Sequence, residues 1–129
     1  MRIEHVAVWT HDLDGLREFY ERWLGGKAGE RYERSETDYA SYFLDFEDGA
    51  RLELMSRPDI PATKDSPREQ FTGLIHLAFA LGSEARVDSL TAELAAAGVE
   101  VLDGPRRTGD GYYESSVLDP DGNRIELTA

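Results

Sequence analysis

The chain has no cysteine at all. That excludes disulfides and every thiolate metal site, so any bound metal must be held by nitrogen and oxygen donors. Basic residues are scarce: 14 Lys and Arg stand against 26 Asp and Glu, for a net charge of −12. Such a surface repels phosphate backbones and argues against nucleic acid as a partner. No apolar run is long enough to span a bilayer, which argues against a membrane partner. The opening MRIEHVAVWT has no apolar signal core or cleavage site, so a cytoplasmic location is expected. Histidine is also rare, at three residues, which makes the position of each one informative.

What is present suits one domain built from two small halves. The 129 residues are 40% hydrophobic and 31% charged, enough apolar matter for a core and too much for a disordered chain. The acidic excess is spread along the chain and reads as solubility or salt adaptation.

The chain is written twice. DGARLEL, starting at Asp48, returns as DGNRIEL, starting at Asp121, with five of seven letters identical. IEHVAVWT from Ile3 has a partner in LIHLAFAL from Leu74. His5 and His76 are 71 residues apart and Glu53 and Glu126 are 73 apart, so two pairs match at nearly one offset. After each histidine strand comes a helical pattern. Leu13, Leu16, Phe19, Tyr20, Trp23 and Leu24 form the first stripe, and Val87, Leu90, Leu94 and Ala97 the second. Thr10 or Asp12 and Ser83 are the expected caps, with Gly25 or Gly26 and Gly98 as stops.

Strand patterns follow each helix: 27–33, 39–46 and 51–56 in the first half, then 100–106, 112–118 and 124–128 in the second. Asp48-Gly49 and Asp121-Gly122 are hairpin turns. The expected fold is therefore α+β. Two β-α-β-β-β modules, 1–56 and 74–129, would make a single domain on a curved, partly closed mixed sheet around a metal site. The segment 57–73 holds three of the five prolines and reads as the linker.

Strand alternation then separates two faces. Leu52 and Leu54 oppose Glu53, and Ile125 and Leu127 oppose Glu126; His5 and His76 likewise face away from Val6, Ile75 and Leu77. One histidine on a strand is ordinarily a structural residue. Two histidines and two glutamates at equivalent places in a duplicated unit are better explained as ligands. A lone carboxylate on an inner face would be costly, and a shared divalent cation removes that cost. The set His5, Glu53, His76 and Glu126 suits Zn²⁺ or Ni²⁺ first, with Co²⁺, Mn²⁺ or Fe²⁺ as alternatives. His11, outside the pattern, reads as a surface residue. Tyr42, Phe79, Arg106, Tyr112 and Tyr113 are further aromatic or basic residues that could line a pocket or belong to core and rim.

The paired modules, the early EHVAV strand, GLIHLAF and the ending LDPDGNRIEL resemble the vicinal oxygen chelate superfamily over nearly the whole chain. That group includes glyoxalase I, bleomycin resistance proteins, fosfomycin-modifying enzymes, extradiol dioxygenases and methylmalonyl-CoA epimerase. The resemblance implies a homodimer acting on a small molecule whose neighbouring oxygens meet the metal.

The ligand set looks like that of bacterial glyoxalase I, a lactoylglutathione lyase. This implies proton transfer between adjacent carbons of an α-hydroxy carbonyl substrate, such as a hemithioacetal, through an enediolate. Glu126 would remove the proton, and Glu126 or Glu53 would return it. The same resemblance admits epimerase, dioxygenase or pure drug-binding alternatives. Bacterial glyoxalase I usually has an arginine for the glutathione carboxylate near the end of its first strand. This chain has Trp9 there, with MSRPD after Glu53, which leaves Arg57 as a substitute and glutathione unsupported as the thiol.

Overall fold

The computed structural model describes residues 1–129. The chain divides into two compact units, Met1–Thr63 and Lys64–Ala129. No helix is long and apolar enough to cross a membrane.

In the first unit, β1 (His5–Trp9) leads into α1 (Leu13–Leu24), then β2 (Lys27–Ala28), β3 (Tyr32–Arg34), β4 (Tyr39–Asp45) and β5 (Arg51–Ser56). The sheet runs β1-β5-β4-β2, with β3 also on β4. β1 is parallel to β5 and the other pairs are antiparallel. The second unit repeats the plan: β6 (His76–Ala80), α2 (Glu84–Ala96), β7 (Val101–Arg107), β8 (Tyr113–Leu118) and β9 (Arg124–Thr128), in the order β6-β9-β8-β7. The two sheets are mixed, as expected. Neither is closed on itself: each ends in an edge strand on both sides.

Helix ends follow local chemistry. The Asp12 carboxylate accepts from the Gly15 amide and caps α1, and Gly25 ends it in the left-handed region at φ 71°. Ser83 caps α2 through the Arg86 amide. Leu13, Leu16, Phe19 and Tyr20 are buried against one sheet, together with Leu44, Leu52 and Leu54. Val87, Leu90 and Leu94 pack with Val117, Ile125 and Leu127 in the other. Full burial of such side chains contributes about 1.5–3 kcal/mol each.

Two expectations change in detail. Ala97 is exposed, and Thr91 takes the place on the buried face of α2. Its hydroxyl donates to the Val87 carbonyl and meets the Ser115 hydroxyl at 2.6 Å, so a polar residue is satisfied inside the core. The strand expected over 27–33 is broken into β2 and β3, with the Gly29 amide between them still bonding the Phe43 carbonyl of β4 at 2.9 Å.

Candidate metal half-sites

The duplicated strand ending puts a glutamate between two buried leucine-type residues in each unit. Leu52 and Leu54 in β5, and Ile125 and Leu127 in β9, point into the helix side and are essentially inaccessible. Glu53 and Glu126 therefore lie on the opposite face. The register brings a histidine to each. His5 pairs with Arg51 and Ala7 with Glu53; His76 pairs with Arg124 and Ala78 with Glu126. Histidine and glutamate thus sit diagonally on one face of a parallel pair, in the same register twice.

The side chains converge accordingly. His5 Nε2 is 3.8 Å from Glu53 Oε2, and His76 Nε2 is 3.2 Å from Glu126 Oε2. No group of three or more His, Asp or Glu side chains is assembled to hold a metal. The four sequence-derived donors are brought together as two pairs, one per unit, each offering one imidazole nitrogen and one carboxylate oxygen. That donor chemistry fits half the shell of a borderline divalent ion such as Zn²⁺ or Ni²⁺.

The surroundings of the two pairs differ. In the first unit, Tyr39 donates its hydroxyl to Glu53 Oε1 at 3.1 Å. Burial holds that phenol above the ordinary tyrosine range and the Glu53 charge adds to the shift, with Ser41 opposing it, so the hydroxyl stays protonated. Glu4 accepts from His5 Nδ1 and from Arg51. These bonds, His5's first, hold the Glu4 carboxyl below its ordinary value. The Phe43 ring meets the His5 ring edge-on at 5.3 Å between centroids. In the second unit the notable neighbour is Glu114. Its carboxyl is pushed up, first by burial and then by the charge of Glu126.

An aromatic group continues the first half-site. Trp9 and Tyr39 stack edge-to-face at 6.2 Å, and Tyr32 meets Tyr39 at 6.1 Å. Trp9 and Tyr32 are 39% and 53% exposed, so a ligand could reach them. Arg57 lies over the Trp9 ring at 5.5 Å and its Nε meets Asp59 at 2.5 Å. Its charge is already paired, so it is not a free receptor for a ligand carboxylate.

Of the other aromatic and basic residues, Tyr42 is buried on the helix side and donates to Asp14, and Phe79 pairs with the inward Leu127. Neither belongs to the half-sites. Arg106 is ion-paired to Asp103, and Tyr113 donates to Asp88 at 2.6 Å. Tyr112 is 57% exposed. His11 is exposed and donates to the Ile60 carbonyl at 2.6 Å, tying residue 60 to the turn before α1. Sequence reasoning missed Glu4 and Tyr39. Tyr39 occupies the place that Tyr112 holds in the repeat and could have been noticed there; nothing in the sequence singled out Glu4.

A family model for the glyoxalase/bleomycin resistance protein/dioxygenase superfamily matches residues 2–127. The chain belongs to that superfamily. Its fold is similar to the glyoxalase family protein from Enterococcus faecalis, with TM-score 0.80 and 26% identity over 99% of this chain and 97% of that one. It is also similar to the trypanothione-dependent glyoxalase I of Leishmania major, with TM-score 0.76 and 25% identity over 99% and 86%. Among curated proteins it is 28% identical to the uncharacterized protein YqjT of Bacillus subtilis (strain 168), over 98% of both chains. Superfamily membership brings a small-molecule chemistry within reach without specifying it, because one fold hosts several activities.

Proposed function

We propose that this superfamily member is a metal-dependent lyase or isomerase of the glyoxalase I type. It would move a proton between adjacent carbons of an α-hydroxy carbonyl compound, with a hemithioacetal as the first substrate to try. The observation that carries the reading is the His–Glu pair that recurs in the same register in both units.

His5, Glu53, His76 and Glu126 would hold one divalent ion, Zn²⁺ or Ni²⁺ in the first instance, in a homodimer. When bound, that ion supplies Lewis-acid stabilisation of the negative charge that develops on neighbouring substrate oxygens. The chain supplies the base. Glu126 takes the carbon-bound proton, and Glu126 or Glu53 returns it to the adjacent carbon. Glu114 is the diagonal neighbour of Glu126 across β8 and β9. The thiol is left open, because Arg57 is occupied by Asp59 and Trp9.

A specific observation favours a second reading. The accessible Trp9 and Tyr32 around Tyr39 would suit planar drugs or metabolites, as in a binding protein without turnover. One experiment separates the two. Protein purified without chelators or a histidine tag is assayed for metal and for hemithioacetal isomerisation in D₂O, alongside Glu126→Gln. About one divalent ion per chain, with deuterium entering the product only when Glu126 is present, supports the enzyme. Ligand binding that persists without metal and without Glu126, and no turnover, supports the binding protein.

A further inference from the structure

The two half-sites are copies in sequence but not in support. In the first, each donor has a partner on its far side. His5 gives Nδ1 to Glu4, which Arg51 holds in turn, and its ring rests against Phe43. Glu53 receives the Tyr39 hydroxyl on Oε1, which leaves Oε2 turned towards His5. In the second, the equivalent residues are Ile75, Tyr112 and Ser116. Ile75 has no acceptor to offer His76 Nδ1. Tyr112 makes no hydrogen bond to Glu126, and Ser116 presents no ring. Arg124, the counterpart of Arg51, donates instead to the Pro67 carbonyl at 3.2 Å. His76 and Glu126 meet each other at 3.2 Å, and neither makes a hydrogen bond like those from Tyr39 and to Glu4 in the first half.

The geometry points to Glu4 and Tyr39 as positioning residues that pre-organise the His5–Glu53 half as the fixed anchor of the metal, and leave the His76–Glu126 half free to move. The inference rests on reading both pairs as metal donors. Its physical basis is the tautomer and the rotamer. A carboxylate at Nδ1 keeps the proton there and the Nε2 lone pair available, while a hydroxyl on Oε1 fixes the carboxylate plane. Such outer partners are typically worth about 10- to 100-fold in metal affinity.

The test uses the whole chain and has two readouts. In metal-free protein, long-range ¹H–¹⁵N spectra should show His5 as the Nδ1–H tautomer. Glu4→Ala should shift it towards Nε2–H, and Glu4→Gln, whose carbonyl still accepts, should restore it. In Zn²⁺ competition with a chromophoric chelator, Tyr39→Phe and Glu4→Ala should each weaken binding about tenfold. Tyr112→Phe, the same change at the repeat-equivalent place, should leave affinity within twofold, and circular dichroism checks the fold of each variant. Equal affinities for wild type, Tyr39→Phe and Glu4→Ala, or an equal loss in Tyr112→Phe, would overturn the assignment while leaving the metal site standing. A wild type that takes up no Zn²⁺, Ni²⁺ or Co²⁺ would overturn the metal reading and the assignment with it.

Discussion

Glu126→Gln distinguishes a carboxylate kept for chemistry from one kept for stability. In metal-free protein the change removes a charge from a side chain that is 21% exposed. Two effects oppose each other. Glu114 pairs with Thr128, and Ser116 with Glu126, so Glu114 and Glu126 are diagonal neighbours across β8 and β9. Diagonal residues lie about 7 Å apart. Two unit charges at that distance repel by roughly 0.6 kcal/mol in water and roughly 2 kcal/mol at an effective dielectric constant near 20. The raised Glu114 carboxyl agrees with that repulsion in sign.

Against it stands the 3.2 Å contact to His76, worth about 1 kcal/mol net, part of which the amide oxygen of Gln keeps. The balance runs from slightly below zero to about +2 kcal/mol in favour of the variant. For a domain of this size that is a rise in Tm of at most about 8 °C.

Thermal unfolding in EDTA measures this directly. Leu127→Ala is the control: it is the next residue, fully buried, and should lose about 3 kcal/mol, or roughly 12 °C. The same samples are then melted with Zn²⁺ at about 100 times its Kd. Wild type should gain about 2.7 kcal/mol, close to 11 °C, and Glu126→Gln much less. A loss of more than about 2 kcal/mol in EDTA, or an undiminished rise with metal, would refute the reasoning and return Glu126 to a structural role.

Three further outcomes follow from the fold. Gly104 has φ 79°, and a Cβ there would lie 2.5 Å from the Glu114 carbonyl oxygen and 2.9 Å from Ser115 Cα; Gly104→Ala should cost roughly 3 kcal/mol in urea unfolding. Asp119 is 5% exposed and accepts from the amides of Asp121 and Asn123 and from the Asn123 side chain. Asp119→Ala should cost about 2–3 kcal/mol and speed amide exchange at Asp121 and Asn123, with Asp119→Asn recovering part. Glu114 has a folded pKa above its ordinary 4.5, so the folded state holds its proton more tightly and stability falls as pH rises from 4.5 through the folded pKa. The Tm difference of Glu114→Gln over wild type, without metal, should therefore grow as pH goes from about 4 to about 7.

Much of the architecture was legible because it depends on short-range rules. The repeat of DGxRxEL and the His strand set the plan of both units, and alternation placed Glu53 and Glu126 opposite the leucines. Parity alone also puts Phe79 on the face opposite His76. What was not legible depends on register between distant strands. Tyr39 reaches Glu53 because of how β4 pairs with β5, and Tyr42 turns to α1 for the same reason. Glu4 looks like one more charge on an acidic chain until the β1–β5 pairing sets Arg51 beside His5. Thr91 reads as a weak helix residue until Ser115 is found across from it.

The asymmetry between the halves has a chemical logic that duplication makes available. A carboxylate that would exchange a cation for a proton works against a hydroxyl clamp, because each exchange would then break that hydrogen bond as well, at about 1 kcal/mol. A carboxylate that holds the cation gains from being clamped, because ordering it beforehand lowers the entropy lost on binding. One site made of two identical halves would have to compromise between these demands. Here Tyr39 and Glu4 act on one copy only, and the free copy is the one whose carboxylate has Glu114 beside it. If proton transfer is carried by Glu126, the side chain that must move is the one the fold leaves without a hydroxyl clamp.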